Sequence, residues 1–587
     1  MFNLHKYIAI SLSLFLVQCQ FPLKSSEHPK AAPVILANTI KTDLKKAEAH
    51  GPQYAVATQG IYATKAAHDI YALGGNAIDA AVAASFTLAV ERPHSTGIGG
   101  GGFMLFREAK SKKVYAVDFR ERAPLRSRAN MFIGADGKAN PTLSQNGILA
   151  SAVPGLVAGL IEIHQKFGRL PLQKILAPAI SLAENGFPIY PSLAKALSQK
   201  ASVLAQDPEA GSIFLDAHQA PLALGHVLIQ KDLAKTLRRI ANKGRAGFYQ
   251  GETAAKFASF SKKLKGLITK EDLKIYRVKW RAPLIGSYKG NDIYSMPPPS
   301  SGGVHVIQFL NMLEQDQLSE QGILSAHSIH LAASALQSAF ADRARYLGDP
   351  DFVSVPTSIL TSKKYAQLRR SQFSETAARK ASEVEAGEVS AFNPEHTETT
   401  HLSIMDKNGD TVSTTQTING YMGASIVVPG TGIVLNNEMD DFSAQVGASN
   451  LFGAIGGAAN SIEPRKTPLS SMSPTIVVKD GVSLMSLGAP GGTRIISCVA
   501  QTILNYLEFK IPLFESVAAI RYHHQWKPDI LDIDPPGPSV QTLAALQQMG
   551  HEVRINPVPC NVMAVSREKD IFHAVADPRD IGTSVAQ

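Results

Sequence analysis

The sequence predicts an α+β chain, helix-rich ahead of a polar stretch at residues 371–398 and β-rich beyond it. Three observations carry that reading: helical apolar periods closed by Gly or Pro in the first part, loss of any period in the polar stretch, and alternation of apolar with hydroxyl residues after it. With 587 residues and 44% apolar content, the chain has room for two units or one large enzyme domain, and a disordered or fibrous chain is excluded.

Taken in order, residues 19–50 are polar and rich in Lys and Ala, and read as a mobile lead-in, so ordered structure is expected to begin near Tyr54. A helix is predicted from Tyr62 to Leu73, stopped by Gly74-Gly75, and another from Asp79 to just before Pro93. Pro154 and Gly168 bracket a further helix, Gly155 to Phe167. Between Ser371 and Glu398, the acids Glu375, Glu383, Glu385 and Glu388 stand among small residues, which predicts a solvated, flexible segment. Beyond it, His401 to Met405 and Thr411 to Thr417 flank Lys407-Asn408-Gly409-Asp410 as a hairpin. Further strands are predicted at Gly432 to Leu435, Thr475 to Val478 and Val482 to Leu487, and no fixed-period repeat is present.

A net charge of +9, from 58 basic and 49 acidic residues, is mild and lacks dense Lys/Arg runs, which argues against a nucleic-acid partner. The start of the chain, His5, Lys6 and an apolar run from Ile8 to Val17, fits a signal peptide over residues 1–18 that is too short to span a bilayer. Export, with the periplasm as destination, is the expectation. Cys19 after Leu16-Val17-Gln18 resembles a lipoprotein box, although Gln18 departs from its usual small residue; a lipid anchor and a discarded cysteine both stay open, and membrane association is expected only with the anchor. Beyond residue 19 only Cys498 and Cys560 remain, so no disulfide framework is expected. A single bridge between them is not decidable from sequence, and Cys498, inside the run Ile495 to Ala500, reads best as a small buried side chain.

The chemistry-bearing residues fall in and around the β-rich part. Thr399-Thr400-His401 opens its first strand; left uncut, Thr399 is a strand residue, but cleavage of the bond after Glu398 gives it a free α-amine beside its own hydroxyl. Such an amine titrates at about 7.7–8.0 and can take the hydroxyl proton as the oxygen attacks a carbonyl. Gly488-Ala-Pro-Gly-Gly492 lies between a strand and a helical run beginning near Thr493, a place where backbone N–H groups converge on an oxyanion; a plain turn and a phosphate site fit it equally. Arg120 in Asp118-Phe-Arg-Glu121 follows a strand and suits either a bidentate carboxylate clamp or a surface ion pair. Asn437-Glu438-Met439-Asp440-Asp441 suits an ammonium group, and lacks the oxygen-ligand spacing of a calcium loop. The run Gly99 to Phe103 leads into a strand-like Phe103 to Phe106 and not a helix, so close backbone packing is expected there in place of nucleotide binding, and Met296-Pro-Pro-Pro299 reads as a rigid turn.

These blocks together resemble the γ-glutamyltranspeptidases, members of the N-terminal nucleophile hydrolases. The resemblance runs from about Tyr54 to the C-terminus and rests on Gly74 to Ala80, Gly99 to Phe103, Asp118 to Glu121, Met296 to Gly303, Thr399 to His401, Asn436 to Ser443, Pro468 to Thr475 and Gly488 to Gly492, all in one order. It implies a four-layer αββα sandwich built jointly by two fragments, 51–398 and 399–587, cut autocatalytically between Glu398 and Thr399 and held together as a heterodimer. Thr399 then matches the nucleophile, Thr417 its supporting hydroxyl, and Gly491 and Gly492 the oxyanion hole. Arg120, Ser470 and Ser471 fall where the family holds the donor's α-carboxylate; Asn419, Glu438 and Asp441 fall where it holds the α-amino group. The implied reaction takes the γ-glutamyl group of glutathione or a related amide as a threonyl ester and passes it to water, an amino acid or a peptide, with no cofactor and no metal.

Two positions depart from the best-known bacterial pattern. Glu438 replaces a Gln found in some members, which preserves ammonium recognition, and Phe452 in Asn450-Leu-Phe-Gly453 stands where a lid-loop Tyr is common, losing a hydroxyl donor. Two rivals are an acylase for glutaryl-type amides using the same nucleophile, and an uncut binding protein that has lost processing.

Overall fold

Period-two alternation decides the layering of this chain. The computed structural model describes residues 47–385 and 399–587. Fourteen of its strands build two sheets: β1 (Glu48–Gly51), β2 (Tyr54–Thr58), β3 (Gly101–Arg107), β4 (Val114–Asp118), β5 (Lys279–Arg281), β6 (Leu284–Tyr288), β7 (Asn291–Ser295), β8 (Thr400–Asp406), β9 (Thr411–Thr417), β10 (Thr475–Lys479), β11 (Val482–Gly488), β12 (Met563–Glu568), β13 (Ile571–Ala576) and β14 (Thr583–Ala586). The first is a 7-stranded sheet in the order β14-β2-β8-β9-β3-β4-β5, the second a 7-stranded sheet in the order β1-β13-β12-β11-β10-β7-β6. Every neighbouring pair within both sheets is antiparallel.

Alternate residues of the first sheet face opposite layers. Val56, Met104, Phe106, Leu402, Ile404 and Val412 join a core shared with the helices α1 (Ile61–Ala72), α2 (Ala77–Glu91) and α3 (Leu156–Phe167). Their neighbours Ala55, Ala57 and Met405 pack instead on Met563, Val565 and Phe572 of the second sheet. Beyond α3 come α4 (Gly251–Lys263), α5 (Lys270–Ile275), α6 (Gly302–Leu313), α7 (Ala326–Tyr346) and α8 (Arg494–Leu507); α6, α7 and α8 cover the outer face of the second sheet around Val477, Met485 and Leu487. Helix, sheet, sheet, helix is the four-layer αββα sandwich. Hydroxyls stitch the sheets where they meet: Ser403 Oγ donates to the Met563 carbonyl at 3.1 Å and Ser413 Oγ to that of Leu487 at 2.9 Å.

The helix boundaries follow their sequence signals. Gly74 closes α1 in the left-handed region at φ 84°, and Asn76 with Asp79 forms a capping box that starts α2. The Lys407 to Asp410 turn joins β8 to β9 in register, Thr400 opposite Gln416 through Met405 opposite Thr411.

Three sequence expectations are corrected. Order begins before Tyr54, because β1 pairs with β13, so the lead-in assigned to residues 19–50 ends inside a strand; the rest of it, with the signal segment and Cys19, lies outside the described residues. The polar stretch is anchored as far as residue 385: Phe373, Ala381 and Val384 are buried, Trp526 Nε1 donates to the Ala381 carbonyl, and Asp529 accepts from Ala381 N–H. Its few apolar residues, too sparse to show a period, join the core around α6, α7 and α8; residues 386–398, including Glu388 and Glu398, lie outside the described residues. Cys498 on α8 is disulfide-bonded to Cys560, 62 residues on, and is not a free buried thiol; contact between a helix and a distant loop is a tertiary fact that spacing cannot carry.

Candidate active site

Strand β8 starts one residue after Thr399, in the middle of the first sheet, so Thr399 is held at a sheet end and is only 3% exposed. It lines a small pocket with Thr417, Asn419 and Gly492, with the acids Glu438 and Asp441, and with Arg120, Ser470 and Ser471. Gly491 adjoins that lining without belonging to it, and Glu398 lies outside the described residues. Residues drawn from six separate segments of sequence therefore meet at one place.

Backbone geometry sets each of them. Thr417 ends β9, and its Oγ1 accepts a hydrogen bond from Asn419 N–H at 2.8 Å. Asn419 sits at φ 75°, a left-handed conformation that Asn tolerates, with Nδ2 donating to the Asn437 carbonyl at 3.0 Å. The glycines at 99–102 pack backbone to backbone against this end of the sheet: a Cβ on Gly100 would lie 1.9 Å from the Thr417 carbonyl oxygen. Gly491 (φ 132°) and Gly492 (φ 55°) turn the chain from β11 into α8, and a Cβ on Gly491 would meet the Pro559 carbonyl at 2.5 Å. Ser470 is clamped by the Pro297 to Ser301 turn, its N–H donating to the Pro299 carbonyl at 2.9 Å and its own carbonyl receiving Ser301 N–H at 2.8 Å.

Arg120 is fully engaged and buried, not on the surface. Its Nη1 stands 2.6 Å from Glu438 Oε1 and its Nη2 2.5 Å from Asp441 Oδ2, while Nε donates to the Pro468 carbonyl at 2.9 Å. Burial pushes the Glu438 carboxyl up to about 7, against the pull of Arg120. Burial, then the Glu438 charge, pushes Glu121 well above the carboxylate range. A neutral Glu121 beside Glu438 is what the electrostatics favour. Asp440, the third acid of the cluster, turns away: Ser144 Oγ donates to it at 2.5 Å and Leu451 N–H at 2.7 Å, tying the lid loop down. Asn450 Nδ2 donates to Asp441 Oδ1 at 2.8 Å, and Phe452 forms part of the pocket wall.

His401 is not available as a base. It is buried between the sheets, bonded to Thr415 and Ser403, and burial lowers it to about 3. Arg343 and Glu121 were not singled out by sequence reasoning. Arg343 lines the pocket from the last turn of α7, with Nε donating to Ser301 Oγ at 3.0 Å and Nη2 to Ser471 Oγ at 3.3 Å, and burial lowers it to about 10, still charged at neutrality. Its position in sequence reads as a cation complementing a helix C-terminus, which hides the role. Glu121 had a signal, its place in the Asp118 to Glu121 block.

The family model for gamma-glutamyltranspeptidase matches residues 63–587. A glutathione hydrolase proenzyme of Escherichia coli (strain K12) is 42% identical over 527 residues, covering 90% of each chain. Among solved structures, the cephalosporin acylase of Bacillus halodurans superposes with a TM-score of 0.80 at 27% identity, over 97% of this chain and 99% of that one. The γ-glutamyltranspeptidase of Helicobacter pylori superposes with a TM-score of 0.55 at 40% identity, over 62% of this chain and 99% of that one. A family match across nearly the whole described chain, on a shared four-layer fold, places this protein in the γ-glutamyltranspeptidase family.

Proposed function

We propose that this chain is an exported precursor that cuts itself between Glu398 and Thr399, and then hydrolyses and transfers γ-glutamyl groups of glutathione and related amides through Thr399. The observation that carries the reading is the pairing of Arg120 with Glu438 and Asp441 beside Thr399. A donor head that is a zwitterion exchanges with this internal ion pair: its carboxylate takes Arg120 with Ser470 and Ser471, and its ammonium takes Glu438, Asp441 and Asn419. Charge is matched before and after, so little desolvation is left uncompensated.

The same hydroxyl serves both acyl transfers. In maturation Thr399 Oγ attacks the Glu398 carbonyl, the amide becomes an ester, and water releases the Glu398 carboxylate and the Thr399 amine. In turnover that amine accepts the hydroxyl proton as Oγ attacks the γ-carbonyl, Gly491 and Gly492 N–H groups receive the oxyanion, and the proton passes to the leaving amine. Water, an amino acid or a peptide then takes the acyl group, and Thr417 orients the nucleophile. The two fragments stay together as a heterodimer, since β8 and β9 lie between β2 and β3. Export rests on the N-terminal segment alone.

Denaturing electrophoresis with intact mass is expected to give two fragments, the smaller being Thr399 to Gln587, and Thr399→Ala is expected to leave one inactive chain. An uncut chain with full activity would sink the mechanism.

The acylase alternative is kept in view by the Bacillus halodurans relative. A glutaryl amide lacks the ammonium: its carboxylate would draw Arg120 away and leave Glu438 and Asp441 buried without a cation. That loss is expected to favour γ-glutamyl-p-nitroanilide over glutaryl-p-nitroanilide by on the order of 100-fold in kcat/KM. Equal or better turnover of the glutaryl compound assigns the chain to the acylases.

A further inference from the structure

Far from Thr399 in sequence and in lining, a cleft of about 1040 Å³ opens between the loop Leu125 to Arg128, helix α4 and the turn into α5. Arg126, Arg128, Lys262, Lys265 and Lys270 line it and are all exposed. None of these cations makes an ion pair among the described residues; of the two acids that follow Lys270, Asp272 is spent on the N–H groups of Leu125 and Thr269 and on the Thr269 hydroxyl, and Glu271 pairs with Lys274 at 3.9 Å. Cations gathered along one cleft raise a positive local potential that attracts anions.

Local secondary structure accounts for only part of the charge. Lys262 and Lys263 end α4, where cations complement the helix dipole, but Lys270 opens α5, where they oppose it, and Arg126 and Arg128 lie on a loop. Apolar residues accompany the charge: Ala255, Ala258, Leu267 and Ile268 line the cleft. Leu125, beside Arg126, and Leu264, between Lys263 and Lys265, are 37% and 39% exposed. Ser127, also in the lining, is 4% exposed and its hydroxyl has no hydrogen-bond partner among the described residues.

We propose that this cleft docks the protein on anionic phospholipid, with lipid phosphates seated among Arg126, Arg128, Lys262, Lys265 and Lys270 and the Leu125 and Leu264 side chains entering the acyl boundary. Interleaved cations and exposed leucines fit an anionic amphiphile, where a soluble polyanion would leave the leucines in water. Among the described residues no helix is long and apolar enough to cross a membrane.

The test is co-sedimentation of the processed protein with vesicles of phosphatidylcholine, alone or mixed with phosphatidylglycerol. Binding is expected on the mixed vesicles only, weakening as salt rises, and Lys262→Glu with Lys265→Glu is expected to lower it roughly tenfold or more. A control with the same charge change on exposed residues elsewhere, Lys110→Glu with Lys479→Glu, is expected to bind within about twofold of the parent. Both variants should keep parental hydrolysis of γ-glutamyl-p-nitroanilide, which reports folding. Three outcomes overturn the proposal: no preference for phosphatidylglycerol, equal loss in the control variant, or saturable binding of inorganic pyrophosphate by the cleft with no vesicle binding.

Discussion

Glu438 sits in opposing fields, burial favouring its neutral form and Arg120 its charged one, with the balance near 7. The folded protein holds this proton up to about pH 7 whereas an unfolded chain releases it near 4.5, so the stability contributed by this group is present at low pH and lost as pH rises through that window. Substrate reverses the preference, because an ammonium binds the carboxylate form. At limiting substrate, protonation of Glu438 is therefore expected to take about tenfold off kcat/KM from pH 8 to pH 6, on top of the fall from titration of the Thr399 amine. Glu438→Gln should lower activity and flatten that limb down to the titration of the Thr399 amine. An unaltered pH profile in the Gln variant would assign the limb to another group. The residue types at this site were readable from sequence; that Arg120 is occupied by Glu438 and Asp441 was not, since those partners are 318 and 321 positions away from it and meet only through the sheet.

At the scale of elements, the strand, glycine and helix succession from β11 to α8 is legible because each part has its own local signal. Which glycine matters is a matter of contact. Gly491 needs positive φ and has the Pro559 carbonyl where its Cβ would stand, whereas Gly74 needs positive φ but has open space around it. Ala at Gly491 must shift the loop that presents its N–H, and kcat of the processed fraction is expected to fall by about 100-fold or more. Ala at Gly74 should change only stability, by about 1–3 kcal/mol. Kinetics and thermal melts of the two variants make the comparison; equal kcat values would remove the oxyanion role from this loop. The disulfide lies against the same loop, since Cys560 also faces the Gly491 Cβ position, so it braces α8 beneath the site.

For the whole molecule, the decisive fact is interleaving. Strands β8 and β9 follow Thr399 yet sit between β2 and β3, which precede it, and β12 to β14 pair with β1, β2 and β11. Neither fragment holds a complete sheet, so each alone would expose unpaired strand edges. Calorimetry of the processed protein is expected to show one cooperative transition, and fragments separated in denaturant are expected to regain near-ultraviolet circular dichroism and activity only when mixed. Independent refolding of the smaller fragment would contradict this.

The sequence by itself determined the helices that end at Gly74 and start after Pro154, the hairpin after Thr399 and the turn at Gly488 to Gly492, because capping and alternation are local properties of the chain; most residues of the pocket were named through the resemblance that the order of its motifs carries. Tertiary structure decided the rest: the Cys498–Cys560 bond, the anchoring of residues 371–385, the partners of Arg120 and the entry of Arg343 into the pocket wall. Each of these depends on which distant segments share a layer, and a one-dimensional pattern states that a face is buried without stating against what.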